Sequence, residues 1–318
     1  MPPSIFSSHG TPPSPDGCDV GTSSPPGERP SSTSTTTTVA NASTDSKELE
    51  ILRHALPTST EAERHRFLTA RNGNTNLAIE KLKYYLEWRN RHCGENSDNF
   101  NTSSTDAWTY ATQRARQQTL APNEIGHHDR ETGSSSSTMT ELPCTLFMLE
   151  HEHSTPANDE SVQHATTKKY YLQHLPARID TTLANTSIYA LSLAIYLERI
   201  LDRRTTDQIT LVIDVRSGHG WANIKAIHLL PFIQSTVRLL SDLHPLRLER
   251  CVIFPVPKVA NMIWKAVTPF MGKDTVDKVR LISGPAGSND GVPMKLSEHL
   301  DDEVIRKLED TRLSCLSK

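Results

Sequence analysis

This 318-residue chain has no run of about 18–20 apolar residues, so its sequence predicts no membrane-spanning helix. The opening stretch MPPSIFSSHGTPPSPDG lacks both a basic start and an apolar core, and it is read as no secretory signal. Cysteine is scarce. The five present (Cys18, Cys93, Cys144, Cys251 and Cys315) form no C-x-x-C pair and are odd in number. That argues against a disulfide framework or a zinc module and fits a reducing compartment. Neither sign of charge dominates, with 34 basic and 37 acidic residues and a net charge of -3. A general pull towards nucleic acid or an acidic membrane is thereby removed, although local basic patches remain open. Apolar residues make up only 36% and mean hydropathy is -0.48, so part of the chain is expected to be disordered. The N-x-S/T triplets at Asn41, Asn101 and Asn185 are read as chance matches in a cytoplasmic protein.

Signatures of catalysis are also missing. Gly218, Gly220 and Asn223 approach a G-x-G-x-x-G turn after an apolar strand, but asparagine replaces the third glycine, which would let helix and strand pack closely. The next strand ends in PVP, where a nucleotide site needs an acid for the ribose. Gly284-Pro-Ala-Gly287 lacks the lysine of a phosphate loop, and no G-x-S-x-G nucleophile elbow exists. His151 and His153, and the pair His127 and His128, could present imidazoles together, but spacing fixes no third ligand, so they are read as solvated loop residues. The chain is therefore expected not to be an enzyme and to hold no metal or cofactor.

What is present changes along the chain. Met1–Asp45 is rich in Ser, Thr and Pro, with eight of the 20 prolines, and reads as a disordered tail. Its Ser/Thr-Pro pairs leave open a phosphorylated arm or a protein partner reached through the tail. Ser46–His92 reads as a small helical lobe. Leu49, Leu52 and Leu56 share one helix face, Pro57 closes that helix, and Thr58 with Glu61 fits a capping box for the next. Gly73 is placed to end that second helix, Asn74 or Asn76 to cap the third. There Ala78, Leu82, Tyr85 and Trp88 make an apolar stripe. Cys93–Thr140 turns polar and reads as a linker or insert, with Trp108 and Tyr110 marking one docked turn or helix.

From Glu141 onwards strands and helices alternate. TLFMLE and KKYYLQHL are strands flanking the polar loop HEHSTPANDESVQHA, and Ser187–Asp202 is a buried helix. ITLVID, CVIFPV and VRLIS are further strands, the first of them expected to be buried on both faces. Helices marked by Ile227, Leu230, Ile233, Val237 and Leu240, and by PKVANMIWKAVTPFM opening at Pro257, separate them. Strands joined by helical crossovers imply an α/β fold with a mostly parallel sheet.

Several of these pieces resemble one family. RHRFLTARNGNTNLAIEKLKYYLEWRNRH, with Arg66, Phe67, Leu68, Ala70 and Arg71 and then Leu86, Trp88 and Arg89, resembles the N-terminal lobe of CRAL-TRIO lipid-binding proteins, the yeast-type phosphatidylinositol/phosphatidylcholine transfer proteins among them. LVIDVRSGHGW, ending its strand in Asp214, resembles the family's central strand. The order His244-Pro245-Leu246-Arg247, Val252–Pro257, Pro269-Phe270-Met271 and Lys278 resembles its most recognisable block. The resemblance covers about Ser46–Arg91 and Glu141–Asp310.

That resemblance implies a CRAL-TRIO fold: a helical lobe at 46–92, then a lipid-binding lobe at 141–310 with helices around a hydrophobic pocket. Lys258–Met271 would be the gating helix. Met262, Ile263, Trp264, Val267 and Phe270 would contact ligand when it is closed and a membrane when it is open. Val212 and Phe254 would line the pocket from the strands. Lys278, Arg247 and Arg280 would meet a headgroup. Two departures bear on the ligand. Leu246 stands where the inositol-binding branch has an acid, and Ile209 and Leu211 stand where the choline-binding branch has polar residues. Neither headgroup code is complete, which leaves open another phospholipid, or a sterol-, retinoid- or tocopherol-like molecule. The expected function is exchange of a hydrophobic ligand during transient contact with a membrane. The alternative is a pocket-degenerate scaffold that binds or regulates other proteins. No nucleic-acid partner is expected.

Overall fold

The computed structural model describes residues 38–94, 104–119, 140–150, 169–256 and 260–316. The expectations for residues 1–37, for the loop histidines His127, His128, His151 and His153, and for Pro257 lie outside the described residues.

Three helices open the described chain: α1 (Thr38–Ala55), α2 (Glu61–Thr69) and α3 (Thr75–Cys93). α1 starts eight residues before the expected tail boundary. Leu52 is fully buried, with Leu49 and Leu56 packed beside it, and once those residues hold the helix, adding a residue at its start costs little. The capping box also lies two residues later than expected. Thr60, not Thr58, accepts from the Glu63 backbone N–H, and the Glu63 carboxylate accepts from the Thr60 N–H at 2.7 Å. Arg203 pairs with that same Glu63 at 2.8 Å, so one acid serves both the cap and a long-range ion pair. Gly73 adopts a φ of 77°, open to glycine at little cost, and Asn74 caps α3 by accepting from the Leu77 N–H. The Ala78, Leu82, Tyr85 and Trp88 stripe is buried as its period requires.

Within 93–140, where Trp108 and Tyr110 mark one docked turn or helix, the structure has α4 (Ser104–Thr119). Ala107, Trp108, Ala111 and Ala115 form its buried side, and Trp108 is 1% exposed, in edge contact with Tyr196. Small alanines around one tryptophan let the backbone approach α5 closely. The many Thr, Gln and Arg residues on its outer side make the segment polar in composition, so Trp108 and Tyr110 alone mark the helix in the sequence.

The sheet has the order β1-β2-β3-β4-β5, comprising Leu146–Glu150, Lys169–His174, Gln208–Asp214, Leu248–Val256 and Val279–Ser283. β1 runs antiparallel to β2, and β2 to β5 are parallel. Three crossovers follow one another: α5 (Thr186–Ile200) joins β2 to β3, α6 (Leu230–Leu243) joins β3 to β4, and α7 (Ala260–Val267) lies between β4 and β5. A short 3-10 turn (Thr268–Phe270) and α8 (Lys273–Val276) complete the last connection. Because each parallel strand is added on the same side of the last, right-handed crossovers put α5, α6 and α7 on one face of the sheet. The other face is covered by the 3-10 turn Met294–Glu298 and by α9 (Asp302–Leu316). There Leu296, Leu300, Val304 and Leu308 pack with Val212, Val252, Phe254 and Ile282 in one buried cluster.

Candidate ligand-binding face

β3 was expected to be buried on both faces, and it is not. Side chains alternate along a strand, and residues paired across strands share a face. Val212, opposite Val252, is fully buried beneath α9. Leu211 and Ile213, on the α6 side, are only half-buried. The difference continues across the sheet. Leu146, His174, Ile213, Ile253 and Leu281 pair in one row across all five strands on the crossover face. Ile253 is half-buried and Leu281 is 37% exposed. Among the described residues, Ile213, Cys251, Ile253 and Leu281 join neither of the two hydrophobic cores. One face of the central strands is sealed, and the other keeps accessible apolar surface.

α6 shows the complementary feature. Phe232 and Leu243 are buried, but Leu230, Ile233, Val237, Leu239 and Leu240 are only half-buried on an amphipathic helix. α7 lies next to α6, with Val267 buried, Trp264 half-buried and Lys265 exposed. Apolar residues that stay partly accessible on both a strand face and the helices over it make a surface suited to an apolar ligand, held by burial rather than charge.

The residues expected to bind ligand are distributed unevenly about this face. Trp264 and Val267 belong to α7, while the side chains of Met262, Ile263 and Phe270 lie outside the described residues. Val212 and Phe254 face the other way, fully buried in the α9 cluster, because the period of two puts their neighbours Leu211, Ile213 and Ile253 on the accessible side. Arg247 is 2% exposed and donates to the carbonyls of Asp207 and Asp202, at 2.7 and 2.6 Å. Burial, helped by the nearby Arg66 cation, lowers its pKa to about 10, which still leaves it charged at neutral pH. Lys278 donates to the Leu248 carbonyl at 2.6 Å, and Arg280 to the carbonyls of Asp277 and Val279. All three cations are thus bonded to main-chain oxygens.

Two charged networks frame the sheet. At the start of the parallel strands, Glu198 accepts from Tyr85 at 2.9 Å and from Arg89 at 2.8 Å, tying α3 to α5. Arg66 donates to the Thr205 carbonyl from α2. At the far end, Asp214 closes β3 and receives both Nε and Nη2 of Arg216, at 2.9 and 2.7 Å, with both side chains fully buried. Arg216 also bonds Glu309 of α9. Burial opposes the charge on Arg216, but the hydrogen bonds it donates to Asp214 and Glu309 outweigh that and raise its pKa. The sequence marked Asp214 as a strand-ending acid. Arg216 and Glu309 were missed, although a basic residue two positions after such an acid is a usable signal.

His174 was also missed. It is 3% exposed, and Nδ1 lies 2.9 Å from the Thr145 carbonyl. A carbonyl only accepts, so Nδ1 carries the proton. Burial lowers the pKa of His174 to about 4, so the ring is neutral. It stacks on Phe232 of α6 with ring centroids 5.5 Å apart.

The family model of the CRAL/TRIO domain matches residues 164–308, which run through β2, the three crossovers, β5 and most of α9. Residues 164–308 are a CRAL/TRIO domain. The part of α1 from Ala42 onwards, helices α2 to α4 and strand β1 precede the matched segment and pack with it inside the unit Ala42–Lys318. Among solved structures, the crystal structure of Sfh5 is similar to this chain at 14% identity, with a TM-score of 0.48, covering 82% of this chain and 84% of that one. No curated protein matches. The CRAL/TRIO family is one of lipid-binding and lipid-transfer proteins. Among the described residues no group of acids, histidines and cysteines is arranged to hold a metal ion, and no helix is long and apolar enough to cross a membrane.

Proposed function

We propose that this CRAL/TRIO protein binds a hydrophobic ligand on the crossover face of its sheet, beneath α6 and α7, and exchanges it during transient contact with a membrane. The observation that carries the reading is the asymmetry of β3 and β4. Val212, Val252 and Phe254 are sealed under α9, while Leu211, Ile213 and Ile253 keep accessible apolar surface towards the crossover helices. A purely structural parallel sheet buries both faces alike. α7 serves as the moving element. It is short, Trp264 and Lys265 suit a membrane interface, and every Å² of apolar surface it covers on closing contributes roughly 25 cal/mol. Arg247, Lys278 and Arg280, all engaged with carbonyls, leave apolar burial as the main source of affinity.

The test is extraction of the full chain, purified from a eukaryotic host, with organic solvent, followed by mass spectrometry of the lipids. About one molecule of a single lipid class per chain is expected, and its loss in Trp264→Glu without a matching loss of thermal stability. A wild-type protein that carries no lipid and takes none from mixed vesicles refutes the reading and favours a scaffold that binds other proteins.

A further inference from the structure

The row Leu146, His174, Ile213, Ile253 and Leu281 crosses the accessible face with a single polar member. That member has an unused acceptor. Nδ1 of His174 is committed to the Thr145 carbonyl, and Nε2 is buried with no protein partner among the described residues. The ring itself lies on the crossover face, paired beside Ile213 and stacked on Phe232, which places it between the sheet and α6. A second orphan lies on α6. Thr236 sits one turn after Phe232, the residue stacked on His174, and its Oγ1 is buried without a partner. A helical threonine ordinarily satisfies its hydroxyl on the carbonyl four residues back, and Thr236 does not. A buried acceptor left unmade costs about 1–3 kcal/mol, so each of these atoms needs a reason.

We propose that His174 Nε2 accepts a hydrogen bond from the hydroxyl of an uncharged lipid alcohol bound on this face, with Thr236 Oγ1 as the second polar contact. This deepens the lipid-binding reading and rests on it. The neutral character of the ligand follows from the surroundings. No charged group contributes to the lowered pKa of His174, which comes from burial opposed only by the Thr145 carbonyl. An ionic headgroup placed there would meet no counter-charge among the described residues that act on His174, whereas a hydroxyl loses little on leaving water once it is bonded to Nε2.

The test uses the full chain, cleared of co-purified lipid, and two probes: a pyrenyl-dodecanol and its methyl ether, which differ in one O–H donor. Fluorescence titration should show the alcohol binding about tenfold more tightly than the ether. In His174→Phe, which keeps the stack on Phe232, that preference should fall to near unity while ether affinity holds. Should this variant fold poorly, the wild-type protein gives the same answer. The 15N resonance of His174 Nε2 should shift on adding the alcohol and stay in place on adding the ether. Equal binding of both probes, with Nε2 unmoved by either, overturns the His174 assignment and leaves lipid binding standing. Failure of both probes to bind overturns the assignment together with the reading on which it rests.

Discussion

Two buried histidines make the stability of this fold sensitive to mild acid. His244, 9% exposed at the turn after α6, has its pKa pushed down to about 3 by burial and by the cations of Arg247 and Arg66. His174 is pushed down to about 4 by burial. In an unfolded chain each would titrate near 6.5. A histidine with a depressed folded pKa contributes stability in full above its unfolded pKa and loses it as the pH falls towards the folded value. Between pH 7.5 and 5.5 the unfolded imidazole takes up a proton and the folded one does not. Each residue then costs about 1.4 kcal/mol, and the pair about 3 kcal/mol. Glu198 works in the opposite sense, because burial raises its pKa against the pull of Arg89 and Tyr85, so the net slope is not the histidines' alone. The comparison with His244→Gln isolates one of them. Urea unfolding followed by tryptophan fluorescence at both pH values should show the variant losing about 1.4 kcal/mol less than wild type across the interval. Parallel losses in the two proteins would mean that His244 titrates normally in the folded state, and the argument from burial would fail.

Two further predictions concern the frame around the site. Arg216→Met leaves the fully buried Asp214 without its main partner and should cost about 3–5 kcal/mol in urea unfolding, whereas a loss under about 1 kcal/mol would show the pair to be dispensable. Leu246 holds a φ of 61° at 37% exposure, so Leu246→Asn relieves a left-handed strain while giving up little burial. It should gain about 1 kcal/mol, seen as a raised melting temperature, and an unchanged or lowered one would count against that reading.

Periodicity made much of the fold legible. β3, β4 and β5 were readable because each is a short apolar, β-branched run bounded by turn residues, and α3 because Ala78, Leu82, Tyr85 and Trp88 keep a helical spacing. α4 was less legible because three of its four buried apolar residues are alanines, which carry little hydropathy yet allow the closest helix contact. The accessible crossover face was harder again. An apolar run shows that both faces of β3 are hydrophobic, but whether a face is filled depends on what α6, α7 and α9 bring to it. Thus Val212 and Phe254 resembled Leu211 and Ile253 in the sequence and differ only in the three-dimensional packing. The surroundings of the charged residues were hard to read for a related reason. Arg247 and Lys278 stand where a headgroup contact was expected, but the carbonyls that engage them, at Asp202, Asp207 and Leu248, leave no signature in side-chain chemistry.

The arrangement of charge explains how the crossover face can keep accessible apolar surface without leaving the protein loose. At one end Glu63, Arg203, Glu198 and Arg89 join the helical lobe to the loop and helix that precede β3. At the other, Asp214, Arg216 and Glu309 join the end of β3 to α9. Buried pairs of this kind add little net stability, but their geometry is strict, so they fix which elements sit together. Both sets act on the lobe and on α9, and neither holds α7. The ions thus fix the elements that frame the sheet, while α7 lies beside α6 and takes no part in either set.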